Sequence, residues 1–447
     1  MFYDVGTGRG VPTQEAMNTQ PTLRGWLALT KVHALTNVPA PRNWMERLRR
    51  LSIGSLYLGS VLYQVSQLSI AIVLPQIRDS LGATPAQQGL ILAGFPLGVG
   101  VFALLSGVWI RRWGPTWTVI VGLFTLGVGE TASAFAFSAA TLVAARMLAG
   151  AGVGIYFPAT VALLAANTPE ARRTTAVGLL VSLGLAVGGS LEFLGGALVG
   201  ARFGWQVVLG STGLLSLGGA ALTYVALRRA PLILTPYRSS LDRALIGTTL
   251  RMGSVWGLAI ALLGALNAGF TAAAFLAAYV TSQHASWGIL YAGLVGAMAL
   301  ALTLPGGFLG GWVSERGVDR RVVLAGLGIP SAVLVLLVPS SNPYSLAGIF
   351  AAEGLLLGAV LAVLFSMPSH IPEMSGLRVP VVVGVIDGTR ILFSATFAFA
   401  FGVVVGLWGY SLAWTVTALV ALGCIPFLVV VPPNRSPPRP HRPVSMS

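Results

Sequence analysis

Charge is what this sequence has least of. Only 9% of its 447 residues are Asp, Glu, Lys or Arg, whereas a water-soluble globular protein carries about a quarter of its residues as charges. So few charges cannot cover a surface that faces water, and a hydrocarbon-facing exterior removes the need. Lysine occurs once, as Lys31 followed by Val32. That excludes a Gly-x-x-x-x-Gly-Lys-Ser/Thr phosphate loop and any ATP-driven pumping without a separate subunit. The single cysteine, Cys424, excludes a disulfide within the chain and a paired-cysteine metal site. His33, His284, His370 and His441 are scattered, and no His-Glu-x-x-His stretch occurs. No metal or other cofactor is therefore expected. With no recognisable nucleophile–base arrangement, an enzyme is not expected either. A cleavable secretory signal is also not expected, because the first 50 residues are mostly polar and the first long apolar run begins near Ser52.

What is present is apolar. Hydrophobic residues make up 55% of the chain and glycine contributes 56 positions, a composition suited to helices packed closely in lipid. A spanning helix needs roughly 20 predominantly apolar residues. That window places spans near 52–77, 87–110, 117–137, 141–165, 175–200 and 206–227, then 255–280, 287–313, 322–340, 345–368, 380–406 and 411–431. These runs lack strict alternation and are too long for the strands of a β-barrel.

The formal charge is +14, yet the basic residues sit between apolar runs rather than on one face or domain. No nucleic-acid partner is expected. Of 27 Lys and Arg residues, 23 fall in the tails and alternate loops on one side of the proposed membrane. Arg78 and Arg202 lie on the other side, and Arg146 and Arg390 lie within spans. The positive-inside rule then puts both termini in the cytoplasm, with the chain in a cell (plasma or inner) membrane. The domain reading is a tail over 1–51, a six-helix bundle over 52–227, a linker over 228–254, a second bundle over 255–431 and a tail over 432–447. The basic tails would lie against anionic headgroups.

An internal repeat organises the spans. Gly107-Val-Trp-Ile-Arg111-Arg112-Trp-Gly114 follows the second span, and Gly311-Trp-Val-Ser-Glu315-Arg316-Gly317 follows the eighth, 204 positions later. Phe203-Gly204-Trp205 and Trp408-Gly409-Tyr410 stand 205 apart, and Gly184 maps to Gly388 at 204. These motifs resemble the major facilitator superfamily, whose Gly-x-x-x-acidic-Arg-x-Gly-basic-basic signature lies between its second and third helices. The chain matches at Gly107, Arg112 and Gly114, and in a second copy at Gly311, Glu315, Arg316 and Arg320. Arg111 replaces the acid in the first copy, where the resemblance would place a charge latch on the cytoplasmic side. Arg146, Gly150 and Gly152 match a helix-four signature of the family. A helix-five motif associated with antiporters is reduced to Gly184 and Gly188, its proline replaced by Gly189. The resemblance implies an all-α membrane protein of 12 transmembrane helices in two pseudo-symmetric six-helix bundles. It also implies a central cavity walled by helices one and seven.

Six ionisable side chains fall inside spans: Glu130, Arg146, Glu192, Glu353, Asp387 and Arg390. Each costs about 2.5–3.5 kcal/mol at a bilayer centre if unpaired. They must pair, face water or take up protons. At 1.5 Å per residue the depths of Glu130, Arg146 and Glu192 agree within about 5 Å, so either carboxylate can meet Arg146. Such a pair would be a fixed tie between helices or a proton-coupling device. Asp387 and Arg390, at i and i+3, share a helix face. Arg390 is therefore either neutralised locally or offered to an anionic solute. Glu353 has no obvious partner at its depth. Tyr57, Ser60, Gln64 and Gln67 form one polar stripe on the first span, and Asn267 and Thr271 sit at nearby repeat positions in the seventh. Gln64, Gln67, Asn267, Thr271 and Arg390 are the candidate solute ligands, with interhelical hydrogen bonding as the alternative for the amides. Glu130, Arg146, Glu192, Glu353 and Asp387 are the candidate coupling groups. Gly107, Arg112, Gly114, Gly311, Glu315 and Arg316 are the candidate cytoplasmic gate. Gly150, Gly152 and Gly154 fit helix packing better than a dinucleotide loop. Pro96, Pro158, Pro305 and Pro330 are candidate bends, either static or gating.

The expected function is secondary active transport of a small organic or anionic solute by alternating access, coupled to protons, by a monomer. Proton-coupled drug or multidrug efflux is the rival reading. A passive uniporter and a non-transporting sensor or scaffold derived from a transporter are further alternatives.

Overall fold

The computed structural model describes residues 42–169, 172–232, 243–316, 318–367 and 379–432. Both tails beyond these limits, the centre of the linker, Arg378, and the Glu315 side chain lie outside the described residues. Two compact units are distinguished, Met1–Arg47 and Leu48–Ser447. The described part of the first is only the opening of one helix, and the second holds all other elements.

Every regular element among the described residues is helical. The order is α1 (Arg42–Leu81), α2 (Pro85–Ser133), α3 (Ala139–Ala166), α4 (Arg173–Leu183), α5 (Gly189–Phe203), α6 (Trp205–Arg229), α7 (Arg243–Leu250), α8 (Gly253–Gln283), α9 (Gly288–Glu315), α10 (Arg320–Leu337), α11 (Pro343–Ser366) and α12 (Val379–Cys424). A π-helical turn, Gly184–Gly188, joins α4 to α5. Ten helical stretches are long and apolar enough to cross a membrane. Two of them, α2 and α12, are 49 and 46 residues long, and each is interrupted by a glycine outside helical geometry, Gly114 and Gly409. A helix of that length spans about 70 Å, more than twice the hydrocarbon thickness. Counting each side of the two breaks gives twelve segments among the described residues. The chain is a multi-pass integral membrane protein.

Local chemistry starts and stops these helices. Thr84 and Gln87 form a capping box at the head of α2, with Pro85 at the first helical position. Ser138 and Thr141 do the same for α3, and Asn342, Pro343 and Ser345 for α11. Gly204 (φ 86°, ψ 168°) ends α5, and Gly409 (φ 84°, ψ 174°) breaks α12. This backbone region is essentially reserved for glycine. Gly82 and Gly288, which precede α2 and open α9, also have positive φ. The left-handed glycines thus recur at offsets of 205 and 206 residues, close to the repeat seen in the motifs. The prolines expected to bend helices, Pro96, Pro158, Pro305 and Pro330, lie inside helices that continue through them. The interruptions fall at glycines instead.

Packing relies on small residues, as it does where lipid offers no hydrophobic drive. A methyl group at Gly150 would strike the Phe95 carbonyl, and one at Gly152 the Leu126 amide. The same intimacy brings α9 and α11 together through Gly306, Gly310, Gly354 and Gly358. Large apolar side chains remain on the outside, Leu104 at 75% and Phe308 at 73% exposure, where acyl chains would cover them.

Two further close approaches join the first six spans to the last six. Gly89 on α2 abuts the Ala398 carbonyl on α12, and Gly402 abuts the Pro85 carbonyl. Gly293 on α9 sits against the Phe193 carbonyl and Ala197 of α5. Gln76 donates from Nε2 to the Gly200 carbonyl (2.8 Å) and Trp205 from Nε1 to Ser80 Oγ (2.8 Å). Those bonds place the end of α1, the start of α2 and the α5–α6 turn on one face. Both crossings lie toward this face, which is distal to residue 48.

Candidate functional site

The most deeply buried polar group is an ion pair. Arg146 Nη1 on α3 lies 2.5 Å from Glu130 Oε2 on α2, and both side chains are 0% exposed. Gly129 and Ala149 touch closely enough for these two helices to hold the pair between them. Ser69 donates to Glu130 Oε1 (2.6 Å), and Thr212 on α6 reaches the same oxygen at 3.4 Å. Arg146 donates to the Ser66 carbonyl (2.9 Å) and the Gln67 carbonyl (3.2 Å) of α1. Its guanidinium carbon lies 4.6 Å above the Phe95 ring. Four helices therefore share one charge-assisted network, which a buried pair requires if its desolvation is to be offset.

Glu192 on α5 is the carboxylate left out. It is 4% exposed, and its Oε1 has no hydrogen-bond partner among the described residues. It stands within electrostatic reach of both Glu130 and Arg146. Equal depth along the sequence left either carboxylate open as the partner of Arg146, and the structure pairs Glu130. The enclosure thus holds two carboxyl groups and one guanidinium.

A third carboxyl, Glu353 on α11, is 4% exposed and accepts from Ser331 Oγ of α10 at 3.0 Å. Its Oε1 is unpartnered, and its other oxygen lies beside Gly269 of α8.

The polar stripe of α1 turns toward the segment running from α4 into α5. Tyr57 donates to the Ala176 carbonyl (3.0 Å) and Ser60 to the Leu180 carbonyl (2.8 Å). Gly184 and Gly188, in the π turn, let that segment approach Ser60, Val61 and Gln64. Gln64 is 6% exposed with Oε1 unpartnered, and Gln67 Oε1 is unpartnered as well. On α8, Asn267 is 1% exposed with both Oδ1 and Nδ2 unpartnered, and Thr271 is buried. No hydrogen bond joins Gln64 to Asn267 among the described residues. An unmet buried amide costs about 1–3 kcal/mol, so these atoms are available to a hydrated solute or to water.

A second charged cluster bridges the two halves of the chain. On α12, Arg390 Nε donates to Asp387 Oδ1 (2.9 Å) and Nη2 lies 2.8 Å from the same oxygen. These side chains are 13% and 22% exposed, against 0% for Arg146 and Glu130. The Arg390 guanidinium lies 5.4 Å from the Phe270 ring of α8. Tyr63 of α1 is within electrostatic reach of both charges. Its ring stacks parallel to Phe95 at 6.2 Å and tilts against Phe157 of α3 at 6.0 Å. Sequence reasoning paired Asp387 with Arg390 but missed Tyr63, Phe95, Phe157 and Phe270. Tyr63 lies beside the polar stripe rather than on it, and the phenylalanines are indistinguishable from packing residues in apolar runs.

Among the described motif residues, Gly107, Arg112 and Gly114 lie on α2, and Gly311 and Arg316 lie at the end of α9 or just after it. Arg112 is exposed, and Gly114 supplies the α2 break (φ 75°). Gly311 has open space around it, and Arg316 stacks over Trp312 at 3.4 Å. Nearby, Asp319 caps α10 by accepting from the Arg321 amide (3.0 Å) and pairs with Arg321 Nη2 (2.6 Å). The Arg321 hydrogen bonds hold this carboxyl below its ordinary value of 3.8.

Among families, the one described as "Major Facilitator Superfamily" matches residues 56–385. A methylenomycin A resistance protein of Streptomyces coelicolor is 27% identical over 237 residues, 53% of this chain and 48% of that protein. The 4-hydroxybenzoate transporter PcaK of Pseudomonas aeruginosa is 30% identical over 166 residues, 36% of each. The chain thus spans half or less of the length of these curated relatives. A bacterial homolog of the human lysosomal transporter Spinster, solved inward-facing and unoccupied, superposes with a TM-score of 0.69 at 17% identity. That match covers 88% of this chain and 96% of the solved one.

Proposed function

The chain belongs to the Major Facilitator Superfamily, and from that premise we propose that it is a secondary active transporter of a small organic anion. It works by alternating access, is coupled to protons, and has both termini in the cytoplasm. The observation that carries this reading is the partition of its buried polar groups. Glu192, Gln64 and Asn267 are nearly inaccessible and carry side-chain atoms with no hydrogen-bond partner among the described residues, while Arg390 and Asp387 are partly exposed.

The proposed steps follow from those positions. The two halves approach closely on the distal face at the Gly89–Ala398, Gly402–Pro85 and Gly293–Phe193 contacts, which supports a resting state that opens toward the termini. Solute enters from that side and meets the charged pair on α12. Two carboxyl groups share one guanidinium in the enclosure of Glu130, Arg146 and Glu192, so a proton carried there completes neutrality. Glu192, lacking hydrogen bonds, is the group proposed to carry it, and Glu130 remains tied to Arg146. Rocking of the two bundles then opens the distal crossings.

Proton-coupled drug export is the second reading. Its support is the aromatic company of Arg390 together with the name of the Streptomyces relative. Both readings are tested by cysteine accessibility on a Cys424→Ser background. Cysteines at Gln64 and Asn267 should react with a small water-soluble maleimide and be protected by a mixed panel of aromatic, sugar and short aliphatic acids. Equal reactivity with and without every panel member would exclude these positions from the solute site, and no reaction at all would exclude them from the passage.

A further inference from the structure

The charged cluster between the two halves carries a reading more specific than an anion site. It contains one guanidinium and one carboxylate, with the Phe270 ring beside the guanidinium and Tyr63 within electrostatic reach. The Nε and Nη2 edge of Arg390 is held by Asp387 Oδ1 at 2.8–2.9 Å. No other hydrogen bond of Arg390 occurs among the described residues. A guanidinium offers five N–H donors in a planar fork that matches a carboxylate, so the Nη1 edge remains for a ligand. Exposures of 13% and 22% for the pair, against 0% for Glu130 and Arg146, make Arg390 the spanning-segment arginine that a solute can touch.

Aromatic surface surrounds this single polar anchor. Phe270 lies 5.4 Å from the guanidinium on the α8 side. Tyr63 of α1, whose ring packs against Phe95 and Phe157, is within electrostatic reach of the pair. A sugar acid would need several hydrogen-bond partners for its hydroxyl groups, because unpaired hydroxyls in such a site are costly. A flat ring needs none, gaining instead from stacking against Tyr63 and Phe270. An organic cation would meet the Arg390 charge.

We propose that this cluster binds an aromatic monocarboxylate, with the carboxylate on the free edge of Arg390 and the ring between Tyr63 and Phe270. Asp387 is a positioning residue that fixes the guanidinium. The proposal rests on the transporter reading above and narrows it to a solute class.

Isothermal titration on the purified full-length chain tests it with 4-hydroxybenzoate, benzoate, benzamide, cyclohexanecarboxylate and glucuronate. The benzoates should bind, and benzamide, which has the ring without the charge, should bind at least about tenfold more weakly. Arg390→Gln should lose about tenfold or more for benzoate, and Arg390→Lys should recover part of it. Phe270→Leu, a mild change that keeps the helix apolar, should weaken benzoate severalfold and leave cyclohexanecarboxylate unchanged. It keeps the test decisive even if Arg390→Gln fails to fold. Equal binding of benzamide and benzoate, or no ring selectivity lost in Phe270→Leu, overturns the proposal. Binding of glucuronate without the benzoates also overturns it, while leaving the transporter reading intact. If no panel member binds, and none moves protons in liposomes, both readings fall together.

Discussion

At the scale of single residues, the Glu130–Arg146 pair separates structural from functional burial. Removing one partner leaves an uncompensated charge in a site that is 0% exposed. Glu130→Leu or Arg146→Met alone should therefore destabilise the protein by about 3–5 kcal/mol. Thermal unfolding in detergent would record the loss. The double replacement should restore most of that stability, because a well-packed apolar pair is often neutral or better. If the pair serves only as a tie, the double variant regains transport along with its fold. If it tunes Glu192, folding returns without coupled transport. Asp319 gives a milder, pH-dependent case outside the spans. Its folded value is depressed by Arg321, so its contribution is complete above the ordinary value and is lost as pH falls through 3.8 and below. With both side chains nearly a third exposed, the effect is screened to below about 1 kcal/mol. Comparing the acid unfolding of Asp319→Asn with that of the wild type should show a slightly flatter profile. An identical profile would mean the pair contributes nothing.

At the scale of elements, glycines do the work that prolines might have been assigned. Gly204 and Gly409 occupy a backbone region closed to other residues. Alanine at either should cost about 1–3 kcal/mol, whereas alanine at Gly311, with open space and ordinary helical geometry, should be nearly silent. Melting temperatures of the three variants decide this. Bulk at the distal crossings should act differently. Gly402→Val would collide with the Pro85 carbonyl and should shift the population away from the sealed face. Cysteines placed on that face should then label faster. Unchanged labelling would mean the crossing is not a gate.

Much of this element-level picture is legible in the sequence. Apolar run lengths place the spans. The offset of Gly204 and Gly409 reveals the repeat, because each turn needs a residue without a Cβ. The merging of predicted second and third spans into α2 was not legible, since Arg111 and Arg112 read as a loop yet remain helical beside the break at Gly114. The rotation of each helix about its axis was not legible either. Depth alone could not tell Glu130 from Glu192, and only packing shows which one Arg146 reaches. The placement of Tyr63 and Phe270 near Arg390 depends on approaches between residues more than a hundred positions apart, for which a single sequence holds no periodic signal.

At the scale of the whole molecule, the proposed cycle joins the buried Glu192 carboxyl to the contacts that cross between the two halves. The most direct measurement loads proteoliposomes with a pH-sensitive dye and adds aromatic, sugar and short aliphatic acids outside under an imposed pH gradient. Wild-type vesicles should show solute-dependent proton entry above that of protein-free vesicles. Glu192→Gln vesicles should still bind solute but lose the proton signal. Equal solute accumulation by both, with no proton movement above the protein-free background, would contradict coupling through this buried carboxyl.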